Sequence, residues 1–523
     1  MHSHASWLGK ATETVAALLS EMSSDPSGRF SPSVYETGRL VAITPSLERH
    51  AERVRFLLTE QRPDGRWGGP GDYDIVPTLS ATDGLLAEAA RPTATPAVAA
   101  AAERGLRALR NRLHPTGSLP DTVAVEIVVP SLVDSLNERL RLRGAAPLST
   151  PRDTYGALLA GLRDAVARGH TVPDKLQHSL EVIGAPAQGA AFITPMAGGV
   201  VGCSPAATAV WLGDEQIREG GHPSIDYLRG VQDAGGGVPV AAPLALFERS
   251  WVLSTLADSG IEFTAPAELV RSLHDAFDED GAAGGLGLPP DADDTATALY
   301  ALALLGSPRS PECLWAYQSG EHFSCFPEER TPSTSTNAHV LQAIGASLSG
   351  DLPGRERYAR ALTAVTGWLV EQQSADGTWQ DKWHASPYYA TVCCATALAC
   401  YGGEAGSQAA RTAVGWVLDS QRADGSWGRW EGTREETAYA LRTLLRTGVA
   451  RDDDAIERAA ARGCAFLLAV DPGRRHPALW HDKDLYTPLR VVDTEIFAAQ
   501  HLALSDPRIA ALVAREETRI EAS

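Results

Sequence analysis

The run Pro289-Pro290-Asp291-Ala292-Asp293-Asp294-Thr295-Ala296 sets three carboxylates within four positions. Like charges so close cannot all ionise easily, so a proton is shared and one apparent pKa rises. A carboxyl that keeps its proton until the reaction demands it is a general acid. The same run also reads as a helix start, with prolines before the first turn and an aspartate cap. A cap needs one carboxylate, and two more stand beside it. The helix N-terminus works against the acid by favouring the anion. Burial and hydrogen bonding decide the balance.

The elements that must position this group are repeated. A signature recurs as Gln61-Arg62-Pro63-Asp64-Gly65-Arg66-Trp67, Gln373-Ser374-Ala375-Asp376-Gly377-Thr378-Trp379 and Gln421-Arg422-Ala423-Asp424-Gly425-Ser426-Trp427. The last two copies start 48 residues apart (421 − 373), about two helices and two connections. Looser forms, a turn followed by a small-residue helix, occur at Ser204 to Val210 and Glu435 to Tyr439. A repeated supersecondary unit decides the architecture: stacked helical hairpins give an open solenoid or close into an α-barrel. Apolar residues elsewhere keep a helical spacing, with Gly and Pro clustered between the runs. The stretch Ala124 to Val129 has strand propensity, yet its small-residue style continues on both sides and predicts a buried helix. Asp452-Asp453-Asp454 with Glu457 imitates a metal motif, but no second metal motif accompanies it, and a helix start is expected.

Composition narrows the function. A chain of 523 residues predicts two or more domains. No apolar run approaches the 18 or so residues of a membrane span, and the N-terminus has no signal-peptide pattern. Seven scattered cysteines suit reduced thiols in a cytoplasmic protein. A net charge of −19 argues against a nucleic-acid partner, and no Walker-type loop is present to hold a nucleotide.

The Asp-x-Asp-Asp-Thr-Ala run together with the Gln-x-x-Asp-Gly-x-Trp repeats resembles the class II terpene cyclases, in particular bacterial two-domain diterpene cyclases. Further blocks follow in the family's order: Ser33-Val34-Tyr35-Glu36-Thr37, Glu126 to Leu132, Leu176 to Glu181, Ser204 to Ala209, Gly236 to Pro239, Leu246 to Val252, Phe323 to Phe326 and Asp381 to Trp383. The resemblance implies an all-α fold of two α/α barrels. A β domain over 1–43 and 285–523 would carry the Asp motif, and a γ domain over 44–284 would be inserted in it. The substrate implied is a prenyl diphosphate, with no membrane span and room for a homodimer. The reaction implied is protonation-initiated cyclisation of geranylgeranyl diphosphate to a bicyclic, labdane- or clerodane-type diphosphate. Because the second class I metal motif is lacking, the diphosphate should be retained. A sesquiterpene version would convert farnesyl diphosphate to drimenyl diphosphate.

Roles follow from the same resemblance. Asp293 is the acid, oriented by Asp291 and Asp294. Asn337 stands where plant relatives carry an Asn that hydrogen-bonds the acid. His178 matches a histidine that helps hold the water taking the final proton. Glu126 matches a glutamate linked to Mg²⁺, and Arg168 lies near a diphosphate-contacting lysine position. Each also has a plainer reading: Asn337 as a cap, His178 as a packed core residue, Glu126 as half of a buried ion pair, Arg168 as a surface residue. Protonating an alkene needs an acid far stronger than a free carboxyl, plus aromatic faces for the cation. Trp251, Phe323, Tyr388 and Tyr389 are the aromatic candidates. Val240 stands where plant cyclases making ent-copalyl diphosphate carry an Asn, and valine cannot hydrogen-bond. A different base, and a product other than ent-copalyl diphosphate, are therefore expected.

Overall fold

The computed structural model describes residues 4–329, 331–348, 353–449, 454–471, 473–474 and 476–521. The chain is helical, with three short two-stranded ladders among the described residues. Two kinds of helix alternate. Ile75–Ala89, Ala292–Leu304, Thr334–Ser347 and Pro387–Tyr401 are rich in Ala and Thr and buried on nearly every side. Pro96–Arg112, Arg355–Glu371 and Gly403–Asp419 bury one stripe and expose the rest. Helices apolar all round belong inside and striped ones outside, and that is the layering of an α/α barrel. Ala292–Leu304 packs against Thr334–Ser347, which packs against Pro387–Tyr401, then Arg434–Arg446 and Leu489–Ser505. Val125–Leu142 is a helix, as its flanks predicted. Asp454 opens the helix Asp454–Ala469, while Asp452 and Asp453 lie outside the described residues.

The seam between the two barrels differs from the sequence boundaries at 43 and 284. Val34–Ile43 packs against Ile75–Ala89 and Pro205–Glu219. Ala245–Asp258 packs against Ala292–Leu304 and Leu489–Ser505, while His4–Ser24 contacts Leu489–Ser505. One core thus gathers Ala11 to Met22 and Cys203 with residues from Val240 onward, and another gathers residues from Tyr35 to Val210. The reason is local. Ser33 caps Val34–Ile43, and Tyr35 and Glu36 are then tied into the second barrel.

The repeated signature builds the same turn three times. The Trp67, Trp379 and Trp427 side chains are fully buried, and each indole N–H donates to the carbonyl of Leu57, Leu369 or Val417 at 2.7–2.8 Å. Gln61, Gln373 and Gln421 each donate to the turn glycine's carbonyl and to a carbonyl of the next helix, all at 2.9–3.0 Å. The glycines have φ of +85°, +95° and +88°, and a Cβ there would sit within 2.9 Å of a neighbouring carbonyl oxygen. The signature therefore clamps one helix to the next. Gln373→Ala strands two carbonyls and should cost about 1–3 kcal/mol in chemical denaturation, with the midpoint falling at unchanged slope. An unaltered midpoint would refute this role.

The hairpin Trp480–His481/Leu485–Tyr486 lies where the two barrels meet. Lys483 at its turn is fully buried; its Nζ donates to His178 O at 2.9 Å, Ser204 Oγ at 2.8 Å and Glu181 Oε1 at 3.1 Å, and it pairs with Glu36. Asp484 accepts from Ser33 Oγ at 2.8 Å and the Tyr35 N–H at 3.0 Å.

Candidate active site

The helix Ala292–Leu304 begins at Asp291, whose Oδ1 accepts from the N–H groups of Asp293 and Asp294, each at 2.9 Å. Asp291 is thus the cap that the motif requires, and the other two carboxylates are left for other work. Asp294 is turned toward Gly284, where an added Cβ would lie 2.3 Å from its Oδ2. Its Oδ1 is buried without a hydrogen bond. Burial and the neighbouring Asp291 push the Asp294 carboxyl well up; burial also raises Asp291. Two buried carboxyls this close favour sharing a proton.

Asp293 has a different partner. Its Oδ1 faces Nδ1 of His339 at 2.7 Å. Burial alone would lower the His339 pKa, but the Asp293 charge and hydrogen bond outweigh it and raise the imidazole to about 10. An imidazolium at this distance sets a positive charge beside the Asp293 carboxylate. It engages Oδ1, and the carboxylate lines the cavity described below. The expected partner, Asn337, lies two positions earlier on the same helix and points elsewhere. Its amide donates to Phe323 O at 2.9 Å and Ser333 O at 2.8 Å, and its Oδ1 accepts from the Phe323 N–H at 2.8 Å. Asn337 holds the strand His322–Phe323 in place and has no hydrogen bond to Asp293.

All three carboxylates of the motif line a cavity of about 580 Å³ at the seam between the barrels. That size suits a small-molecule ligand. Glu126, Leu158, Leu162, Lys175 and His178 line it from one barrel, and Trp251, Trp383, Tyr389, Trp480 and Tyr486 from the other. The aromatic wall is continuous: Phe247–Trp251 centroids are 4.6 Å apart, Tyr389–Trp480 4.7 Å, and Trp251 meets the His339 ring edge-on at 5.3 Å. Trp251 and Tyr389 line the cavity, as anticipated. Phe323 and Tyr388 do not: Phe323 packs near Trp315, and Tyr388 lies against Trp416. Phe247, Trp480 and Tyr486 were not anticipated, because each sits in a run that reads as ordinary core.

The remaining candidates separate. Glu126 lines the cavity from the first turn of Val125–Leu142. Nearby Asp121 is raised by burial and by the charges of Asp381 and Glu126, against the pull of Lys382. No group of three or more His, Cys, Asp or Glu side chains among the described residues forms a ready metal shell. Arg168 is not in this cavity; its side chain is 59 % exposed at a helix end and pairs with Asp164. Lys175 is the cation that lines the cavity on that side. His178 lines the cavity and faces Asp482, its Nε2 lying 2.9 Å from Oδ1. Val240 is fully buried in the core and its neighbour Ala241 reaches the cavity, so neither can hold a water beside His178. No helix among the described residues is long and apolar enough to cross a membrane.

Residues 330–485 match the family described as Squalene-hopene cyclase C-terminal domain. The chain is 49% identical to an ent-copalyl diphosphate synthase of Streptomyces sp. (strain KO-3988), over 93% of this chain and 96% of that one. It is 37% identical to a terpentedienyl-diphosphate synthase of Kitasatospora griseola, covering 92% and 99% of the two chains. Among solved structures, the ent-copalyl diphosphate synthase of Streptomyces platensis superposes with a TM-score of 0.90 at 45% identity, over 94% and 99% of the two chains. The acid pair, the aromatic cavity and these end-to-end matches agree: the chain belongs to the class II terpene cyclases of the bacterial copalyl diphosphate synthase type.

Proposed function

We propose that the enzyme cyclises geranylgeranyl diphosphate to ent-copalyl diphosphate. The observation that carries this reading is the Asp293–His339 pair facing an aromatic cavity, in a chain nearly half identical to an ent-copalyl diphosphate synthase. The C₂₀ chain is favoured because copalyl diphosphate is a C₂₀ product. Asp293 Oδ2 gives its proton to the terminal alkene. The cation so formed is attacked in turn by two internal alkenes, closing two rings. The indole and phenol faces of Trp251, Tyr389 and Trp480 stabilise the travelling charge without bonding to it. Loss of one proton from the bicyclic cation forms the final double bond, and the carbon–diphosphate bond stays intact. Val240 cannot hydrogen-bond, and the side chain that faces His178 is Asp482; the ent product is favoured by the 49%-identical relative, not by this contact.

Glu126, with Asp121 near it, would hold Mg²⁺ at the diphosphate end. Bound there, the ion neutralises phosphate charge. Glu126→Gln should raise the Mg²⁺ concentration for half-maximal rate by about 10-fold or more. A Mg²⁺ dependence equal to that of the wild type, or full activity after exhaustive chelation, would remove this assignment. The function itself is tested by incubating the protein with geranylgeranyl and farnesyl diphosphates separately. After dephosphorylation, chiral chromatography should give ent-copalol from the first as the main product. Faster turnover of farnesyl diphosphate to drimenol would favour the sesquiterpene reading.

A further inference from the structure

The two nitrogens of His178 both face acceptors. Nδ1 lies 2.7 Å from the carbonyl oxygen of Gly202, which can only accept. Nε2 lies 2.9 Å and 3.2 Å from the two carboxylate oxygens of Asp482. Gly202 fixes a hydrogen on Nδ1, and with Asp482 ionised Nε2 carries one too, so His178 is an imidazolium with no lone pair to take a proton. Its pKa is raised, with burial opposing and the Asp482 charge prevailing. Asp482 stays ionised: burial would raise it, but His178, Lys483 and the Lys483 N–H together hold it low. Its Oδ1 accepts from His178 and, at 2.6 Å, from the Lys483 N–H, so Oδ2 is the less engaged oxygen. Asp482 is part of the cavity wall, and its side chain is 13 % exposed.

We infer that Asp482 is the terminating base of the cyclisation and that His178 is the positioning cation that keeps it ionised and oriented. This rests on the cyclase reading above. Asp482 Oδ2 takes a proton from a carbon next to the bicyclic cation. The C–H electron pair becomes the new double bond and quenches the charge. The carboxyl thus formed gives its proton to water that enters as product leaves. One proton enters from Asp293 and one leaves to Asp482, so the reaction remains an isomerisation. The design answers a physical difficulty. A lone carboxylate in an apolar, cation-handling cavity would be pushed toward its neutral form and lose its basicity. The imidazolium prevents that, and the pair adds no net charge to repel the substrate cation.

The test uses Asp482→Asn, which keeps the shape and removes the basic oxygen. Geranylgeranyl diphosphate should still be consumed. The wild-type product should form about 100-fold more slowly, with alkene isomers or hydroxylated bicycles from the same cation in its place. The wild-type product as the main product, at a rate within about ten-fold of wild type, overturns the proposal. A ¹⁵N NMR spectrum of the histidine-labelled wild-type enzyme, with His178 assigned by substitution, needs no folded Asp482 variant. Two protonated ring nitrogens at neutral pH support the proposal; an unprotonated Nε2 overturns it. A wild-type protein that consumes neither prenyl diphosphate overturns both this proposal and the cyclase reading, whereas consumption with an unmoved product in Asp482→Asn overturns this one alone.

Discussion

Asp293→Asn is expected to abolish turnover while leaving the fold intact. A carboxamide has no proton acidic enough for an alkene, and neither neighbouring carboxylate can substitute. Asp291 is committed to the helix cap, and Asp294 is turned toward Gly284. General acids contribute about 10²- to 10⁴-fold in ordinary reactions. Here the loss should reach the upper end, because the other cavity carboxylate paired with a cation, Asp482, is held ionised and has no proton to give. The amide oxygen can still accept from His339, so thermal unfolding should move little. Rate at saturating substrate, with circular dichroism as control, is the measurement. Residual activity above about one tenth, a barrier change under about 1.4 kcal/mol, would mean that another group is the acid.

Lys483→Ala is expected to give the largest stability loss, about 3–5 kcal/mol. The side chain is fully buried between Glu36 and Glu181, and its removal leaves both without their cation. Burial already raises Glu36, with Lys483 opposing. A carboxyl whose pKa is raised in the folded state favours folding below its unfolded value. That contribution is lost as the pH rises through the raised value. Removing Lys483 raises Glu36 further, so the deficit should be larger in mild alkali than in mild acid. Chemical denaturation across that range checks both size and sign. A loss under about 1 kcal/mol, or one independent of pH, would show that the barrels are held by other contacts.

The carboxylate cluster and the scaffold were legible because each is a dense local pattern. Three carboxylates in a row of four mark Asp291, Asp293 and Asp294, and the tryptophan signature specifies the turn clamp down to its glutamine. The partner of Asp293 was not legible for a geometric reason. Asn337 and His339 are two positions apart on one helix, so they point to different faces, and only packing decides which face meets Asp293. Arg168 lies outside the cavity lining because proximity along the chain does not set the direction of a helix end. Asp482 stood outside every motif. It joins His178 across 304 positions, a contact that exists only once the barrels dock.

The hairpin from Trp480 to Tyr486 gives Trp480, Asp482 and Tyr486 to the cavity, and Lys483 and Asp484 to the seam. Selection on its sequence acts on two traits at once. A substitution that redirects termination shifts the backbone that carries the interdomain anchor, and one that weakens the anchor blurs termination. New product outcomes should therefore arise more readily from changes in the opposite wall, around Leu158 and Leu162, where a side chain can alter cavity shape without loosening the barrels. Directed evolution that diversifies that wall and leaves the hairpin untouched will recover more folded variants with altered products than the reverse library.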